Sequence, residues 1–408
     1  MSINKILKYA CQNCDYYKDY DFNNFDSFPV LERNIVEKEK NRILSKNYPY
    51  VISQDLLVFL TSGSTGKPLE IYWDKSDSLS SNLTLWRYRY KYYGILPTDR
   101  YCSTHIYEYT KNRVKKCKKV LTDSRNNNIS ICRLYLDDDS FKEYYLLINE
   151  FKPKWFFIQS SFLIKFINYM IKNELPFFPT VKYIELTGEN LLLSDRKKIE
   201  DFTNCKIANM YGTTETNGIA IECPYHNMHI IEKNVYVEVQ ENEKFKDDSR
   251  SNILTGSALV TSLTNKEFPL IRYKVGDIIS ITTDKIKCQC GEESRLVKKI
   301  YGKENSKIII NEQIISEYTI SYVFEYSISL FGYYFDEYYV KKNLNNSSID
   351  IFIIINNDFI KWKERISQVI LDSLKEFYDN IKFNIIFTDV MNEPKRSGKR
   401  QIMENNNE

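Results

Sequence analysis

Apolar runs and amphipathic stretches alternate along the first half of the chain. Runs at 56–60, 155–158 and 181–186 have the length of buried strands. Stretches at 75–95 and 161–172 have the spacing of helices with one apolar face. Because strands that alternate with helices favour a largely parallel sheet, this half of the chain predicts an α/β fold.

The pattern changes after Tyr211. Short runs at 235–239, 257–263 and 277–282 are separated by turn residues and predict antiparallel strands. This part of the chain therefore predicts a β-rich subdomain that follows the parallel-rich sheet.

The C-terminal part of the chain predicts a small, mobile α+β unit. Its expected elements are three strands and one helix, at 307–310, 349–355, 383–387 and 361–378. Gly302 marks the boundary, so we expect a large N-terminal domain over residues 1–301 and a small domain over residues 302–408.

Composition and charge narrow the classes of function. The 57 basic and 54 acidic residues leave a net charge of +3, which gives no reason to expect nucleic acid or a membrane surface as a partner. No run of 18 apolar residues occurs, so no transmembrane helix is predicted. The N-terminus lacks an apolar secretory region, and nine dispersed cysteines suit a reducing compartment. These features predict a cytoplasmic protein.

A hydroxyl-rich loop with two glycines lies between the expected strands at 56–60 and 71–73. Glycine is scarce in this chain, with 12 residues, so its use here suggests that the backbone needs it. Free N–H groups, hydroxyls and an ammonium suit a grip on phosphates, although a solvated hairpin turn is the alternative. The loop reads Thr61, Ser62, Gly63, Ser64, Thr65, Gly66, Lys67, Pro68.

This loop does not fit the P-loop of nucleoside triphosphatases. That motif has four residues between its glycines and a Ser or Thr after the lysine. Here two residues separate Gly63 from Gly66, and Pro68 follows Lys67. Proline has no hydroxyl for Mg²⁺, so both the spacing and the chemistry exclude the P-loop.

Five motifs in order resemble those of the adenylate-forming superfamily, and most of all its phenylacetate–CoA ligase branch with the related capsule-biosynthesis adenylating proteins. The first is the hydroxyl-rich loop. The other four are the adenine-contacting turn, the Tyr-Gly-x-Thr-Glu motif, the Arg-Tyr-x-x-Gly-Asp motif and the C-terminal Ser-Gly-Lys motif. They correspond to Thr187-Gly188-Glu189, Tyr211-Gly212-Thr213-Thr214-Glu215, Arg272-Tyr273-Lys274-Val275-Gly276-Asp277 and Ser397-Gly398-Lys399.

The resemblance implies a role for each residue that carries chemistry. Glu215 would help to hold Mg²⁺, and Thr214 would contact the α-phosphate of ATP. Tyr211 would lie near the adenine, and Asp277 would accept hydrogen bonds from the ribose hydroxyls. Lys399 would reach between the acyl oxygen and the α-phosphate as a mobile cation. Glu215, Thr214 and Lys399 are thus the expected catalytic residues.

The same resemblance implies a wider set of nucleotide contacts. They are Thr61, Ser62, Gly63, Ser64, Thr65, Gly66, Lys67, Gly188, Glu189, Tyr211, Gly212, Thr213, Asp277 and Lys303. Lys303 stands where the family has a hinge arginine, so it keeps the charge and loses the bidentate fork. A glycine of the family is replaced near Asn311. These two departures put the second half-reaction in question, and its acceptor stays open among CoA, a carrier protein and an amine.

Cysteine and histidine residues form two clusters in the β-rich part. Their spacing fits a closed tetrahedral zinc site, with ordinary buried cysteines and exposed histidines as the alternative. In the family, some members have a comparable ligand set, which points to Cys223, His229, Cys288 and Cys290 with His226 as a reserve ligand. We expect one structural Zn²⁺, because four protein ligands leave no open position.

The acyl substrate is expected among three segments, at 101–107, 159–161 and 186–189. His105, Ser160 and Gly188 are the candidate contacts. For His105 the alternative is a buried histidine whose hydrogen bonds are satisfied within the protein.

The leading hypothesis is ATP-dependent activation of a small carboxylic acid to an acyl adenylate, with release of pyrophosphate and transfer to CoA. The second is transfer to an amine or a carrier protein in polysaccharide or secondary-metabolite assembly. The third is a non-catalytic nucleotide-binding protein, against which the intact Glu215, Asp277 and Lys399 argue. ATP, Mg²⁺ and Zn²⁺ are the expected cofactors, CoA is a further candidate, and a homodimer is left open.

Overall fold

The structure is a computed structural model of the 408-residue chain. It describes residues 2–46, 56–61, 68–106, 108–110, 113–115, 118–125, 127–241, 252–311, 313–343, 348–389 and 402–404. The chain forms two compact units. The first consists of Met1–Gln159, Phe178–Gly188 and Cys205–Ile300, and the second of Ser160–Phe177, Glu189–Asn204 and Tyr301–Glu408. The division into folding domains after residue 301 stays a prediction.

Eight α-helices occur in the described residues. In chain order α1 to α8 they are Ile3–Asn13, Arg33–Ile43, Lys75–Tyr93, Asp138–Phe151, Ser160–Lys172, Leu193–Thr203, Glu317–Phe331 and Lys363–Lys375. The expected helices at 75–95 and 161–172 correspond to α3 and α5. None of the helices in the described part of the chain is long and apolar enough to cross a membrane.

The strands are numbered β1 to β24 in chain order. They are Leu56–Leu60, Glu70–Asp74, Tyr101–His105, Glu108–Thr110, Arg113–Lys115, Val120–Asp123, Asn128–Cys132, Trp155–Ile158, Tyr183–Thr187, Lys206–Thr213, Asn217–Glu222, Met228–Ile230, Val235–Glu241, Ile253–Ser262, Tyr273–Thr282, Ile286–Lys287, Glu293–Ser294, Leu296–Lys303, Lys307–Ile310, Gln313–Ser316, Phe335–Asn343, Ser348–Ile355, Lys382–Phe387 and Met403–Glu404.

A mixed sheet of twelve strands forms the centre of the first unit, in the order β13-β14-β15-β18-β12-β11-β10-β9-β8-β3-β7-β6. Neighbours from β10 to β7 pair in parallel, and β10 to β12 and β13 to β15 pair antiparallel. Strand β9 is buried along its whole length, as expected for a parallel strand covered on both faces. The α/β class with its parallel-rich and β-rich parts is confirmed, and both parts belong to one continuous sheet.

The strand that precedes the hydroxyl-rich loop is not buried. Strands β1 and β2, which flank this loop, pair antiparallel as a separate two-stranded hairpin. Val58 and Phe59 on β1 are 46% and 39% exposed, so the expectation of a buried strand was wrong. The apolar run at 56–60 has the length of a core strand, but β1 pairs only with β2 and lies outside the large sheet.

The N-terminal helices pack against the other strand of this hairpin. Val36 and Ile43 of α2, Trp73 of β2 and Tyr273 of β15 belong to one buried apolar cluster. Burying side chains of this size contributes about 1.5–3 kcal/mol each. Leu31 adds a backbone bridge, because its N–H donates to Arg272 and its carbonyl accepts from Lys274. The start of α2 is thus fixed against both β2 and the start of β15.

The second unit contains a four-stranded sheet in the order β23-β22-β21-β24. Strands β21 and β22 pair antiparallel, and the two outer pairs are parallel. Helices α7 and α8 contribute Val323, Phe324, Ile366 and Ile370 to the core of this unit. The expected α+β character is therefore present, and α7 and β21 are elements that the sequence analysis missed.

Candidate functional site

Tyr211 and Asp277 form a hydrogen-bonded pair in the first unit. The Tyr211 phenol donates to Oδ2 of Asp277 at 2.9 Å, and both side chains are buried. Burial raises the pKa of Tyr211 well above its ordinary value, and the carboxylates of Asp277 and Glu215 raise this pKa further. The phenol therefore stays protonated and donates. The pair brings together two motifs that are 66 residues apart in the chain.

Glu215 has a phenol partner of the same kind. The hydroxyl of Tyr273 donates to Oε1 of Glu215 at 3.0 Å. Burial raises the pKa of Tyr273, and the nearby Glu215 carboxylate raises it further. This hydrogen bond holds one oxygen of Glu215 in a fixed position. Tyr273 belongs to a motif that the sequence analysis recognised, but no role was predicted for it.

Two glycines shape the backbone around these pairs. Strand β10 has an irregular register between Tyr211 and Gly212, where a side chain on Gly212 would approach the Asn217 carbonyl oxygen to 2.6 Å. Gly276 has a φ of +78°, in the left-handed region that favours glycine, beside an irregularity in the β14–β15 pairing. Such bulges bend a strand locally and redirect its side chains. Both irregularities lie next to the residues of the Tyr211–Asp277 pair.

The hairpin contacts the Tyr-Gly-x-Thr-Glu motif through Trp73 and helix α2 through Thr61. Trp73 of β2 donates from Nε1 to the Thr214 carbonyl oxygen at 3.4 Å. Thr61 closes the hairpin with Leu69, whose N–H donates to Thr61 Oγ1 at 3.0 Å. Arg33 of α2 also donates to Thr61 Oγ1, at 3.4 Å. Arg33 and Trp73 carry no motif signal, so the sequence analysis missed both.

Several predicted site residues lie outside the described residues. They are Ser62, Gly63, Ser64, Thr65, Gly66, Lys67 and Lys399. Thr61 and the residues from Tyr211 to Glu215 are described, together with Asp277. Of the predicted nucleotide site, the structure therefore brings together the Tyr211 and Asp277 motifs and the hairpin that flanks the loop. The roles of all these residues stay predictions.

Glu189 binds the first turn of α5 within the second unit. Its Oε1 atom accepts from the Ser160 hydroxyl at 3.1 Å and from the Ser161 N–H at 2.5 Å. Its Oε2 atom accepts from the Ser161 hydroxyl at 2.9 Å. A carboxylate at a helix N-terminus is favoured by the helix dipole. Two predicted contacts, Ser160 and Glu189, are thus hydrogen-bonded to each other. Gly188, the residue directly after β9, belongs to the first unit.

His105 uses both ring nitrogens within the protein. Nδ1 lies 2.9 Å from the Ser130 hydroxyl and Nε2 lies 3.0 Å from the Lys118 carbonyl oxygen. A neutral imidazole has one donor and one acceptor, so these two partners satisfy it. This geometry favours the alternative of a histidine whose hydrogen bonds are satisfied within the protein, and a substrate contact for His105 stays a prediction.

Four predicted metal ligands converge in the β-rich part of the sheet. The ligand atoms of Cys223, His229, Cys288 and Cys290 all lie within 4.8 Å of one another. The sulfur atoms of Cys223 and Cys288 are 3.8 Å apart, and Cys290 Sγ lies 3.3 Å from His229 Nε2. Tetrahedral zinc with bonds of about 2.3 Å to sulfur places its ligand atoms at about these separations. The donor set therefore fits Zn²⁺.

The surroundings of this cluster orient its ligands. The Ser294 hydroxyl lies 2.8 Å from His229 Nδ1, which directs Nε2 toward the three cysteines. Asn227 donates to Cys288 Sγ at 3.4 Å. His226 turns elsewhere, because its Nδ1 lies 3.1 Å from a Glu222 oxygen and its backbone has a φ of +58°. The geometry favours His229 over His226 as the fourth ligand.

Asn311 begins the turn between β19 and β20. Its φ is +48°, and the hairpin register pairs Ile310 with Gln313 on either side of the turn. Asparagine adopts this left-handed conformation more readily than most residues other than glycine. Asn311 therefore keeps the backbone conformation that glycine favours and adds a side chain. Lys303 lies exposed at the end of β18.

Comparison with known sequences gives two informative relatives, and no protein-family model matches the chain. Protein CapK of Staphylococcus aureus is 22% identical over 338 residues, which cover 82% of this chain and 70% of CapK. Phenylacetate-coenzyme A ligase of Thermus thermophilus is 25% identical over 170 residues, which cover 40% of this chain and 37% of that ligase. Both relatives confirm the resemblance that the motifs predicted.

Solved structures share the fold. A 2-hydroxyisobutyryl-CoA ligase in the postadenylation state, in complex with R3-HIB-AMP, matches 99% of this chain and 88% of its own, with a TM-score of 0.74 at 13% identity. An anthranilate CoA ligase in complex with anthranoyl-AMP matches 84% of this chain and 65% of its own, with a TM-score of 0.52 at 15% identity. At these identities the likeness shows the fold, which is that of adenylate-forming ligases.

Proposed function

We propose that this chain, an adenylate-forming ligase by its relatives and its fold, activates a small carboxylic acid with ATP. The carboxylate attacks the α-phosphorus of ATP, an acyl adenylate forms and pyrophosphate leaves. The acyl group then passes to a thiol, for which we propose CoA. The two ligase structures compared above each contain an acyl-AMP, which supports the first step.

One observation carries this proposal. Two tyrosine–carboxylate hydrogen bonds, Tyr211 to Asp277 and Tyr273 to Glu215, link the Tyr-Gly-x-Thr-Glu motif to the Arg-Tyr-x-x-Gly-Asp motif. Tyr211 and Glu215 belong to one short motif and Tyr273 and Asp277 to the other, so the two pairs are neighbours. A nucleotide site needs a fixed acceptor for the ribose and a fixed carboxylate for a hard cation. The two pairs provide both.

The chemistry joins two anions, so charge neutralisation and alignment dominate the catalysis. A bound Mg²⁺ would shield the phosphates and would be held by Glu215. Tyr273 fixes Oε1 of Glu215, which directs the carboxylate. Asp277 would accept from the ribose hydroxyls, with Tyr211 holding its Oδ2. Lys399 would bring a positive charge to the reacting oxygens from the C-terminal segment.

The cysteine–histidine cluster would hold a structural Zn²⁺. Three thiols and one imidazole give four protein ligands, so no position is open for a substrate. The cluster connects the turn after β11, strand β12 and the turn between β16 and β17. We propose that the metal ties these short strands together and takes no part in adenylation.

Two residues near the start of the second unit support an alternative acceptor for the acyl group. The Asn311 side chain occupies the turn between β19 and β20, where the family has glycine, and Lys303 replaces the hinge arginine. These differences favour an amine or a carrier protein as an alternative to CoA.

The proposed location of the protein is the cytoplasm. If the chain self-associates, the proposed oligomer is a homodimer.

Exchange of labelled pyrophosphate into ATP, measured over a panel of carboxylic acids, tests the first step. Exchange with at least one acid is the expected result. No exchange with any acid would favour a non-catalytic nucleotide-binding protein. Exchange without thioester product in the presence of CoA would favour the amine or carrier acceptor.

A further inference from the structure

Arg33, the first residue of α2, lies beside the residue that leads into the hydroxyl-rich loop. Its Nη1 atom donates to Thr61 Oγ1 at 3.4 Å across 28 positions of sequence. Its Nε atom lies 3.3 Å from Oε1 of Glu37 on the next turn of the helix. The Arg33 side chain is 30% exposed, so the guanidinium is positioned by the protein and still reaches solvent.

The Thr61 hydroxyl already accepts two hydrogen bonds. The Leu69 N–H donates to Oγ1 at 3.0 Å, and Arg33 donates to the same atom. An O–H group has one hydrogen, which these two contacts leave available to an acceptor. Thr61 and Arg33 therefore present donors side by side at the entrance to a loop expected to hold phosphates.

The start of α2 also lies beside β15, which carries Tyr273. Leu31, two residues before Arg33, forms a backbone bridge with Tyr273, and Val36 packs in the same apolar cluster as Tyr273. Tyr273 is the residue that donates to Glu215 at 3.0 Å. The segment that carries Arg33 thus contacts both the start of the loop and the strand whose phenol fixes Glu215.

The backbone holds Arg33 in this place. Leu31, two residues earlier, donates to the Arg272 carbonyl at 3.0 Å and accepts from the Lys274 N–H at 3.1 Å. Val36, three residues later, is buried in the cluster with Trp73 and Tyr273. Because both sides of Arg33 are anchored to β15 and β2, its backbone is held in place, and the contacts with Thr61 and Glu37 hold the guanidinium.

We propose that Arg33 binds the β- and γ-phosphates of ATP and the pyrophosphate that leaves, as a cation that the N-terminal helix contributes to the site. This inference rests on the proposed adenylation. A guanidinium presents donors in a planar fork that matches phosphate oxygens. The competing explanation is that Arg33 only orients Thr61.

Binding of ATP compared with AMP, in the wild-type chain and in Thr61→Val, separates these two explanations, because a residue that acts only through the Thr61 hydroxyl has no effect on ATP binding once that hydroxyl is absent. Arg33→Gln removes the charge, Arg33→Lys keeps it without the fork, and Lys38→Gln removes a charge from an exposed residue of the same helix. Calorimetry on the full chain should show ATP binding weakened about tenfold or more in Arg33→Gln, the range for a hydrogen bond to a charged group. AMP lacks the β- and γ-phosphates, so its affinity should change by less than about twofold. The affinity of Arg33→Lys for ATP should lie between those of the wild type and Arg33→Gln, and Lys38→Gln should bind ATP as the wild type does.

Equal losses for ATP and AMP, no loss for either, or no further loss of ATP affinity when Arg33→Gln is added to Thr61→Val would overturn the assignment. If Arg33→Gln does not fold, the ATP-to-AMP comparison is made with Arg33→Lys. In pyrophosphate exchange, Arg33→Gln should raise the KM for pyrophosphate by about tenfold, and an unchanged KM would count against the role. If the wild type exchanges with no acid, the proposed adenylation fails, and the binding comparison still decides the role of Arg33.

Discussion

The guanidinium of Arg89 binds the carboxylate of Glu185 through two hydrogen bonds, Nε to Oε2 at 2.7 Å and Nη2 to Oε1 at 2.6 Å. Both side chains are buried, and the rings of Trp86 and Trp155 lie 4.6 and 5.0 Å from the guanidinium carbon. The Tyr183 phenol donates a further hydrogen bond to Glu185 Oε2 at 2.8 Å. The pair joins α3, which follows the hairpin, to β9, which leads to Gly188.

Replacing one partner of this pair should destabilise the first unit. Arg89→Met leaves Glu185 charged and buried without its cation, so the free energy of unfolding should fall by about 3–5 kcal/mol. Urea unfolding measures this loss. Lys375→Met removes one partner of Asp372 from an exposed ion pair, and the free energy of unfolding should fall far less than in Arg89→Met. A similarly small loss for Arg89→Met would contradict the assignment of a buried, mutually dependent pair.

Residues of the candidate site could be predicted where they belong to a motif with a fixed spacing in the sequence. Tyr211, Glu215 and Asp277 were identified in this way, and the structure brings them together. The convergence of Cys223, His229, Cys288 and Cys290 was predicted with the help of the family resemblance. Residues that occur in a motif of fixed spacing, or that bind metals, can therefore be recognised from the sequence before the fold is known.

Other features depend on packing and leave no local signal. Arg33 reaches Thr61 only because α2 is anchored to β15 through Leu31. Trp73 has the appearance of a core residue, and its contact with Thr214 depends on where the hairpin lies. The exposure of β1 was mispredicted because an apolar run does not reveal whether a strand is covered on both faces.

The Tyr211–Asp277 pair should set the affinity for the nucleotide. Asp277→Asn weakens the acceptor for the ribose hydroxyls and places an amide beside a buried phenol, so the KM for ATP should rise by about tenfold or more. Tyr211→Phe removes one hydrogen bond, and a smaller rise of about threefold to tenfold is expected. Steady-state kinetics of adenylate formation measures both. As a control, Tyr144→Phe removes another buried phenol of the first unit, which donates to the Cys132 carbonyl, and the KM should not change. Equal KM values for wild type and Asp277→Asn would exclude a ribose contact.

The cysteine–histidine cluster should contain one zinc ion per chain. Elemental analysis of the purified protein is expected to give a ratio of about 1, and Cys288→Ser or His229→Ala should reduce it strongly, because the loss of one of four ligands opens the site. Chelation should lower the melting temperature of the wild type. His226→Ala is the matched control, because His226 binds Glu222 and lies outside the cluster. Folded wild-type protein without zinc, or zinc retained in His229→Ala, would show that the cluster is not the proposed site.

Asn311 should affect the second half-reaction and leave adenylation unchanged. If its side chain hinders the approach of CoA, Asn311→Gly should raise the rate of thioester formation by about tenfold, the effect of roughly 1.4 kcal/mol on a barrier. Glycine tolerates the same left-handed backbone, so stability should change by less than about 1 kcal/mol. Single-turnover assays starting from the acyl adenylate separate the two steps. Asn380→Gly provides the control, because Asn380 is also left-handed and lies in the same unit. Identical thioester rates in wild type and Asn311→Gly would remove Asn311 from the choice of acceptor.

Lys399 should be required for chemistry and dispensable for ATP binding. Its proposed contact is made to the reacting oxygens, where charge develops in the transition state, so Lys399→Ala should lower pyrophosphate exchange by at least about a hundredfold. The affinity for ATP should stay within about threefold, because the adenine, ribose and terminal phosphates have other partners. Arg400→Ala removes the adjacent charge in the same segment and should retain exchange. Full exchange by Lys399→Ala would transfer the role to another cation. A parallel loss in Arg400→Ala would mean that the segment contributes by its overall charge and not through one side chain.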